Sequence, residues 1–231
     1  MIIVAIDGPS GVGKSTVGKA LAAGLGVPYL DTGAMYRAIG LLARRKGIQL
    51  PIPDPDQVGE LSEAAEVRVT GTGGAVRTLL DGEDVSEEIR QPEVSLYASA
   101  VAAIPRVRRR LAARQRELAL SGGGVLEGRD IGTKVVPEAT AKFFLTARPE
   151  IRARRRFDEL IRKGTPQDLE SVRTEMEARD RADSTRADSP LTCDETYQIV
   201  DTSDQGPDEI AERLRMWIVA RQAVDLQRPG V

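Results

Sequence analysis

The segment that most constrains this chain is Gly8-Pro9-Ser10-Gly11-Val12-Gly13-Lys14-Ser15, which lies between an unbroken apolar run, Ile2 to Ile6, and a helical stretch from Lys14 to about Leu25. A short apolar run closed by glycines reads as a buried strand of a parallel sheet, because such a strand is covered on both faces. The eight residues match G-x-x-x-x-G-K-[ST], and they follow a strand and open a helix as that motif requires. Glycines let the backbone wind tightly enough for successive N–H groups to face phosphate oxygens, and the helix N-terminus adds partial positive charge. Lys14 is then placed to reach the β- and γ-phosphates and the Ser15 hydroxyl to help hold Mg²⁺. The reading assigns Gly8, Pro9, Ser10, Gly11, Val12, Gly13, Lys14, Ser15 and Thr16 to a nucleoside-triphosphate site, with Ser15 as the metal ligand.

The rest of the chain alternates strands and helices. Tyr29-Leu30, Gly124–Glu127, Ala141–Leu145 and Tyr197–Val200 read as further strands; Pro92–Ala103, Pro105–Ser121 and Pro207 to about Gln222 read as helices. An Asp31-Thr32-Gly33 turn leads into a helix reaching Lys46, and Pro51 to Asp56 reads as a proline-broken linker. Glu66–Thr70 and part of Ala75–Leu80 alternate with period 2 around a Gly-Thr-Gly-Gly turn, with Asp81-Gly82 as the next turn, which predicts a small antiparallel hairpin. From Arg148 to about Ser184 the chain is charged and helix-prone, broken at Lys163-Gly164-Thr165-Pro166, and the tail from Asp225 to Val231 is expected to fray. The pattern implies an α/β, three-layer P-loop fold on a parallel five-stranded sheet, plus a small antiparallel β insert.

Composition removes whole classes of chemistry. The 231 residues include no His and no Asn, one Cys, and 27 Arg against 6 Lys. Without His there is no imidazole general base, no Ser-His-Asp or Cys-His nucleophile and no His-bound metal. One Cys excludes an intrachain disulfide framework. A formal net charge of −2 argues against a general nucleic-acid binder. No stretch approaches a spanning helix, and MIIVAIDG is too short for a signal h-region, so the expected location is the cytoplasm.

Phosphate loops serve kinases, GTPases and motor ATPases, so a second substrate has to be found elsewhere. Guanine selection through N-K-x-D is impossible without Asn. In a parallel sheet, Asp31-Thr32-Gly33-Ala34-Met35-Tyr36-Arg37 falls at the carboxyl end of a strand, where ligands bind. An Arg in the first turns of that helix can grip a phosphate monoester with two parallel hydrogen bonds.

Four motifs, GPSGVGKST, DTGAMYR, EGRDIGT (Glu127–Thr133) and RDRADSTR (Arg179–Arg186), together resemble the bacterial cytidylate kinase family over essentially the whole chain. The resemblance implies transfer of the ATP γ-phosphate to CMP or dCMP with Mg²⁺. It implies an adenylate-kinase-like fold: one P-loop kinase core over residues 1–231, with a monophosphate-binding insert at about 60–90 and a helical lid at about 148–172. Carried over position by position, Lys14, Arg37, Arg129 and Asp130 are the catalytic set. Thr32, Tyr36, Arg37, Ser99, Arg108, Arg129, Asp130, Arg179, Asp183 and Arg186 are the CMP-binding set. Ser99 and Arg108 match positions reading cytosine, and Arg179, Asp183 and Arg186 match positions holding the ribose and base. Arg152, Arg154, Arg155 and Arg156 fall in the lid, and Glu127 stands where many relatives have Asp. The implied substrates are ATP and CMP or dCMP; charge and hydropathy give the expectation of no nucleic acid and no membrane, and a monomer is expected. Two rival readings stay open on residues alone: a shikimate-type or uridylate-preferring kinase, and a regulatory P-loop ATPase using the Arg-rich 148–186 stretch.

Overall fold

A computed structural model describes residues 1–70, 76–165 and 167–226. Five parallel strands, β1 (Ile3–Asp7), β2 (Tyr29–Asp31), β6 (Gly124–Glu127), β7 (Ala141–Thr146) and β8 (Gln198–Asp201), form one sheet in the order β2-β6-β1-β7-β8. β1 is buried along its whole length because it pairs on both edges, Ile6 lying opposite Glu127 on one side and Phe143 on the other. Its alternate residues feed two apolar layers. Val4 and Ile6 pack with Val17 and Leu21 of α1 (Lys14–Leu25) and Ile210, Leu214 and Ile218 of α8 (Pro207–Leu226). Ile3 and Ala5 pack with Leu126, Ala119 and Ile131 on the opposite face. This double covering explains the near-continuous apolar runs, and it brings Asp7, Asp31 and Glu127 together at the carboxyl end of the sheet.

A second module grows from the edge beyond β2. It comprises α2 (Thr32–Arg45), α3 (Pro55–Ala64), the antiparallel strands β3 (Val67–Thr70), β4 (Arg77–Leu80) and β5 (Glu83–Asp84), a short 3₁₀ turn (Glu88–Arg90), α4 (Pro92–Ala102) and α5 (Pro105–Gly122). The antiparallel hairpin is as expected from the alternation, and the Asp81-Gly82 turn is made by two residues with φ of 51° and 87°. The Gly71–Gly74 turn and Ala75 lie outside the described residues. Two elements are additional. The proline-rich linker ends in α3, where Pro55 occupies the first turn and Asp54 accepts from the N–H groups of Asp56 and Gln57. β5 makes the insert three-stranded. The module's core also reaches beyond an insert at 60–90, since Met35, Ile39, Val58, Val94, Val101 and Leu111 form one buried cluster. α2 and α4 touch closely: a Cβ on Gly40 would lie 2.8 Å from the backbone nitrogen of Ala98. That approach carries Ser95 and Ser99 to the cavity described below.

The charged stretch forms two arms, α6 (Pro149–Arg162) and α7 (Leu169–Thr185), packed through Phe157, Leu160, Val172 and Met176. The break between them begins at Lys163 and Gly164, the latter with φ of 70°, while Pro166 lies outside the described residues. α8 runs four residues past its expected end to Leu226, and the rest of the tail, 227–231, lies outside the described residues. Among the described residues, no helix is long and apolar enough to cross a membrane.

Candidate active site

The carboxyl end of the sheet, the outer module and the two arms enclose a cavity of about 810 Å³. Twelve Lys and Arg side chains line it against five carboxylates, in a chain whose net charge is −2. Cationic charge is therefore concentrated at this one place, which suits a polyanionic ligand.

The phosphate loop forms one end. Gly8 has φ of 144°, and a Cβ there would lie 2.2 Å from the carbonyl oxygen of Leu145, so no side chain fits. Gly13, with φ of 90°, leads into α1. The Lys14 ammonium donates to the carbonyl oxygens of Gly8 (2.8 Å) and Pro9 (2.6 Å). Burial, reinforced by the nearby Arg129, pushes its pKa well below the usual lysine value, so an anion arriving here would relieve an unfavourable charge. Gly8 and Pro9 do not line the cavity; Ser10 through Thr16 do. Beneath the loop, Glu127 Oε1 accepts from Ser15 Oγ (2.6 Å) and Tyr29 Oη (2.5 Å). Glu127 Oε2 is buried without a partner, and burial, with Asp31 nearby, raises this carboxyl's pKa.

The other end begins at Asp31, which caps α2 by accepting from Ala34 N (2.9 Å) and pairs with Arg37 (2.8 Å). The helix therefore starts at Thr32 rather than after a three-residue turn. Thr32 Oγ1 donates to the backbone oxygen of Glu127 (2.6 Å). Deeper in, Arg108 is only 3% exposed; it bonds to Asp130 at 2.5 Å and Ala102 O at 3.2 Å, and its guanidinium lies 5.5 Å from the centre of the Tyr36 ring. Arg186 reaches Asp183 (3.3 Å), the backbone oxygen of Ser189 (2.6 Å) and Asp130 (3.7 Å). Arg129 donates to Asp183 at 2.8 Å. Burial pushes the Tyr36 phenol up to about 12, keeping it neutral as a packing and hydrogen-bonding surface. Ser99 also lines this end.

Asp130 is presented by an unusual turn. A single π-helical turn, Ile131–Val135, starts directly after it, and the fully buried Asp7 accepts the first two N–H groups of that turn, Ile131 (3.0 Å) and Gly132 (2.9 Å), and the hydroxyl of Tyr197 (2.7 Å). Asp7, one residue before the phosphate loop, thereby ties that loop's strand to the segment bearing Arg129 and Asp130.

The expected lid arginines divide. Arg155, bonded to Thr202 (2.5 and 3.1 Å), and Arg156, paired with Glu159 (2.8 Å), line the cavity. Arg154 pairs with Asp158 and is 65% exposed, pointing away from it. Arg152 lies under the phosphate loop, bonded to Asp180 and Ser10. Arg179 lines the cavity with Asp183 and Arg129 as neighbours, and with Arg37 and Arg156 also near; burial and then Arg129 lower its pKa to about 10, against the opposing pull of Asp183. Sequence reasoning missed Asp7, Tyr29, Asp31, Arg90 and Asp180. Asp31 alone carried a local signal, a capping carboxylate three residues before Ala34.

A phosphate loop at a parallel sheet's carboxyl edge, opening into a cationic cavity with a second arginine–carboxylate pocket, defines a P-loop phosphotransferase. Within that class, residues 4–219 match the family model described as cytidylate kinase, and the chain belongs to that family. It is 49% identical over 211 residues to the cytidylate kinase of Caldanaerobacter subterraneus subsp. tengcongensis, covering 91% of this chain and 92% of that one. It is 47% identical over 224 residues to that of Mycobacterium avium, covering 96% and 97%. The crystal structure of an uncharacterized protein from Eubacterium ventriosum shares the fold, with a TM-score of 0.54 at 15% identity over 95% of this chain and 99% of that one.

Proposed function

We propose that the protein transfers the γ-phosphate of ATP directly to CMP or dCMP, giving CDP or dCDP and ADP. The observation that carries this reading is the buried Arg108–Asp130–Arg186 group, which shares one cavity with the phosphate loop. Cytosine presents two acceptors, O2 and N3, and one donor, its amino group. Arg108 supplies donors to the first two, and the Ser99 hydroxyl accepts from the third. Asp130 holds the two arginines in place, and Asp183 and Arg186 receive the ribose.

The acceptor is a phosphate oxygen that is already anionic at neutral pH, so it needs positioning rather than deprotonation, which suits a chain without histidine. Tyr36, Thr32 and Arg37 orient the monophosphate. Lys14, Arg37, Arg129 and Arg179 surround the point of transfer and neutralise charge spread over the moving phosphoryl oxygens. The γ-phosphorus bond to the donor oxygen breaks as the bond to the acceptor oxygen forms, with no covalent enzyme intermediate. The arms at about 148–172 act as a lid and the insert at about 60–90 as the monophosphate-binding flap, closing to exclude water that would otherwise take the phosphate. One chain supplies every group named, so a monomer working in the cytoplasm suffices.

The residues present fit a hydrated Mg²⁺. Glu127 Oε2 is buried and unpartnered beside Ser15, and no group of three or more carboxylate, Cys or His ligands occurs among the described residues, so phosphate and water would complete the shell. Ser15, with Glu127 acting through water, would hold the ion, which when bound offsets charge on the β- and γ-phosphate oxygens.

An ADP-release assay with CMP, dCMP, UMP, AMP and shikimate tests the reading. CMP and dCMP should support the fastest turnover. Preference for any other acceptor, or ATP hydrolysis stimulated by nucleic acid and indifferent to CMP, would overturn it.

A further inference from the structure

Ser10, at the tip of the phosphate loop, is held at both of its backbone polar groups by the two arms. Its N–H donates to Asp180 Oδ1 at 3.1 Å, and its carbonyl oxygen accepts from an Arg152 guanidinium nitrogen at 3.0 Å. Arg152 and Asp180 also pair with each other, closing a ring of three residues from the loop, α6 and α7. Both side chains are largely buried, at 11% and 18% exposure. The same junction has no slack at Gly11, where a Cβ would sit 2.7 Å from Met176 Cε and 3.0 Å from the backbone oxygen of Arg152. Ser10 lines the cavity, but its N–H is taken up by Asp180 and so is turned to the arms.

The ring lies one helical turn from the arm groups that enter the cavity. Arg155 and Arg156 follow Arg152 by three and four residues on α6; on α7, Arg179 adjoins Asp180 and Asp183 follows it by three. At three or four residues' spacing, Arg155 and Arg156 share a helix face with Arg152, and Asp183 shares one with Asp180, so each set moves together; Arg179 is tied to Asp180 through the backbone.

We propose that Arg152 and Asp180 are a positioning pair that couples the phosphate loop to the arginine-bearing arms through Ser10. Neither residue lines the cavity. Their work is to hold the triphosphate and the arm cations in one geometry, so that closing the arms onto ATP also sets the loop. This inference rests on the phosphotransferase reading above, in which the loop holds ATP and Arg156 and Arg179 serve the transferred phosphate.

The test uses the full-length wild type, Arg152→Ala, Asp180→Ala, the double variant and Asp180→Asn. The last keeps an acceptor oxygen for Ser10 N while removing the charge, so it gives a variant with little reason to misfold. Misplacing reacting groups by about an ångström lowers turnover by roughly 30- to 100-fold, so each Ala variant should lose that much kcat. The CMP Kd should stay within about twofold, because the cytosine pocket is untouched. CMP-independent ATP hydrolysis should fall less than transfer does, lowering the ratio of transfer to hydrolysis. The double variant should lose about as much as either single one, since both break the same ring. Asp180→Asn should lie between wild type and Asp180→Ala. Turnover within about twofold of wild type in the Ala variants, losses that multiply in the double variant, or CMP affinity falling in step with kcat would each overturn the inference. A wild type unable to phosphorylate CMP would instead sink the phosphotransferase reading itself, so the two failures are distinguishable.

Discussion

Replacing Asp130 by Asn isolates the electrostatic role of the group at the centre of the acceptor pocket. The carboxylate bonds to Arg108 at 2.5 Å and lies 3.7 Å from Arg186; the three side chains are 8%, 3% and 10% exposed. Asparagine preserves shape and one acceptor oxygen but leaves two buried guanidinium charges without their shared counter-charge. Breaking a buried ion pair by removing one partner costs about 3–5 kcal/mol. Each arginine here keeps a second contact, Arg108 to Ala102 O and Arg186 to Asp183, which places the loss at the low end, about 3 kcal/mol. For a chain of this size that lowers the unfolding midpoint by roughly 6–12 °C, readable by calorimetry without nucleotide. With Arg108 no longer held, KM for CMP should rise roughly 10- to 100-fold, the effect of weakening hydrogen bonds to charged groups by about 1.5–3 kcal/mol. KM for ATP should stay within about threefold. A midpoint within about 2 °C of wild type, or equal rises in the two KM values, would refute the reasoning.

Three further outcomes follow from the same geometry. Arg179→Leu removes a half-buried cation that has Arg129, Arg37 and Arg156 near it but also Asp183; urea unfolding of the nucleotide-free protein should change by no more than about 1 kcal/mol while turnover falls roughly 10²- to 10³-fold, and normal turnover would contradict the assignment. Gly8→Ala forces a Cβ to within 2.2 Å of Leu145 O at φ of 144°, so the loop or β7 must shift; a stability loss of about 3 kcal/mol or more and a sharp rise in KM for ATP are expected, against unchanged values if the contact is soft. Burial holds the Asp7 carboxyl above its ordinary 3.8, against the opposing donors Gly132, Ile131 and Tyr197. A folded-state pKa above the unfolded one gives stability that is complete below the unfolded value and is lost as pH rises through the folded value. Asp7→Asn does not titrate there, so the stability advantage of wild type over this variant should shrink as pH rises above the ordinary 3.8, and growth of that advantage would contradict the sign.

The phosphate loop and the parallel sheet are legible in the sequence because their constraints are local. Gly8, Gly13 and Lys14 are required by backbone conformation and charge within one turn of chain, and β1 shows its covering on both faces as a continuous apolar run. What escapes the sequence depends on contacts between distant segments. Pro55 marks a break when read alone, yet with Asp54 capping the next N–H groups it starts α3. Asp7, Tyr29 and Asp180 are single residues whose partners lie 124, 98 and 170 positions away, and no local pattern reports such pairings. The run Arg154-Arg155-Arg156 is ambiguous because adjacent helical residues face different directions. Its phase is set by Ala153 and Leu160, buried on one side of α6, which leaves Arg154 on the open side.

The central claim is that one cavity brings the γ-phosphate of ATP to a CMP oxygen and passes it directly. The most direct measurement is rapid-quench transfer from ATP carrying a stereochemically labelled γ-phosphate, with CMP in excess. The account predicts CDP formed in a single displacement with inversion at phosphorus and no labelled protein at any time. Retention of configuration, a phosphorylated protein intermediate, or label appearing as inorganic phosphate at the same rate with and without CMP would contradict it.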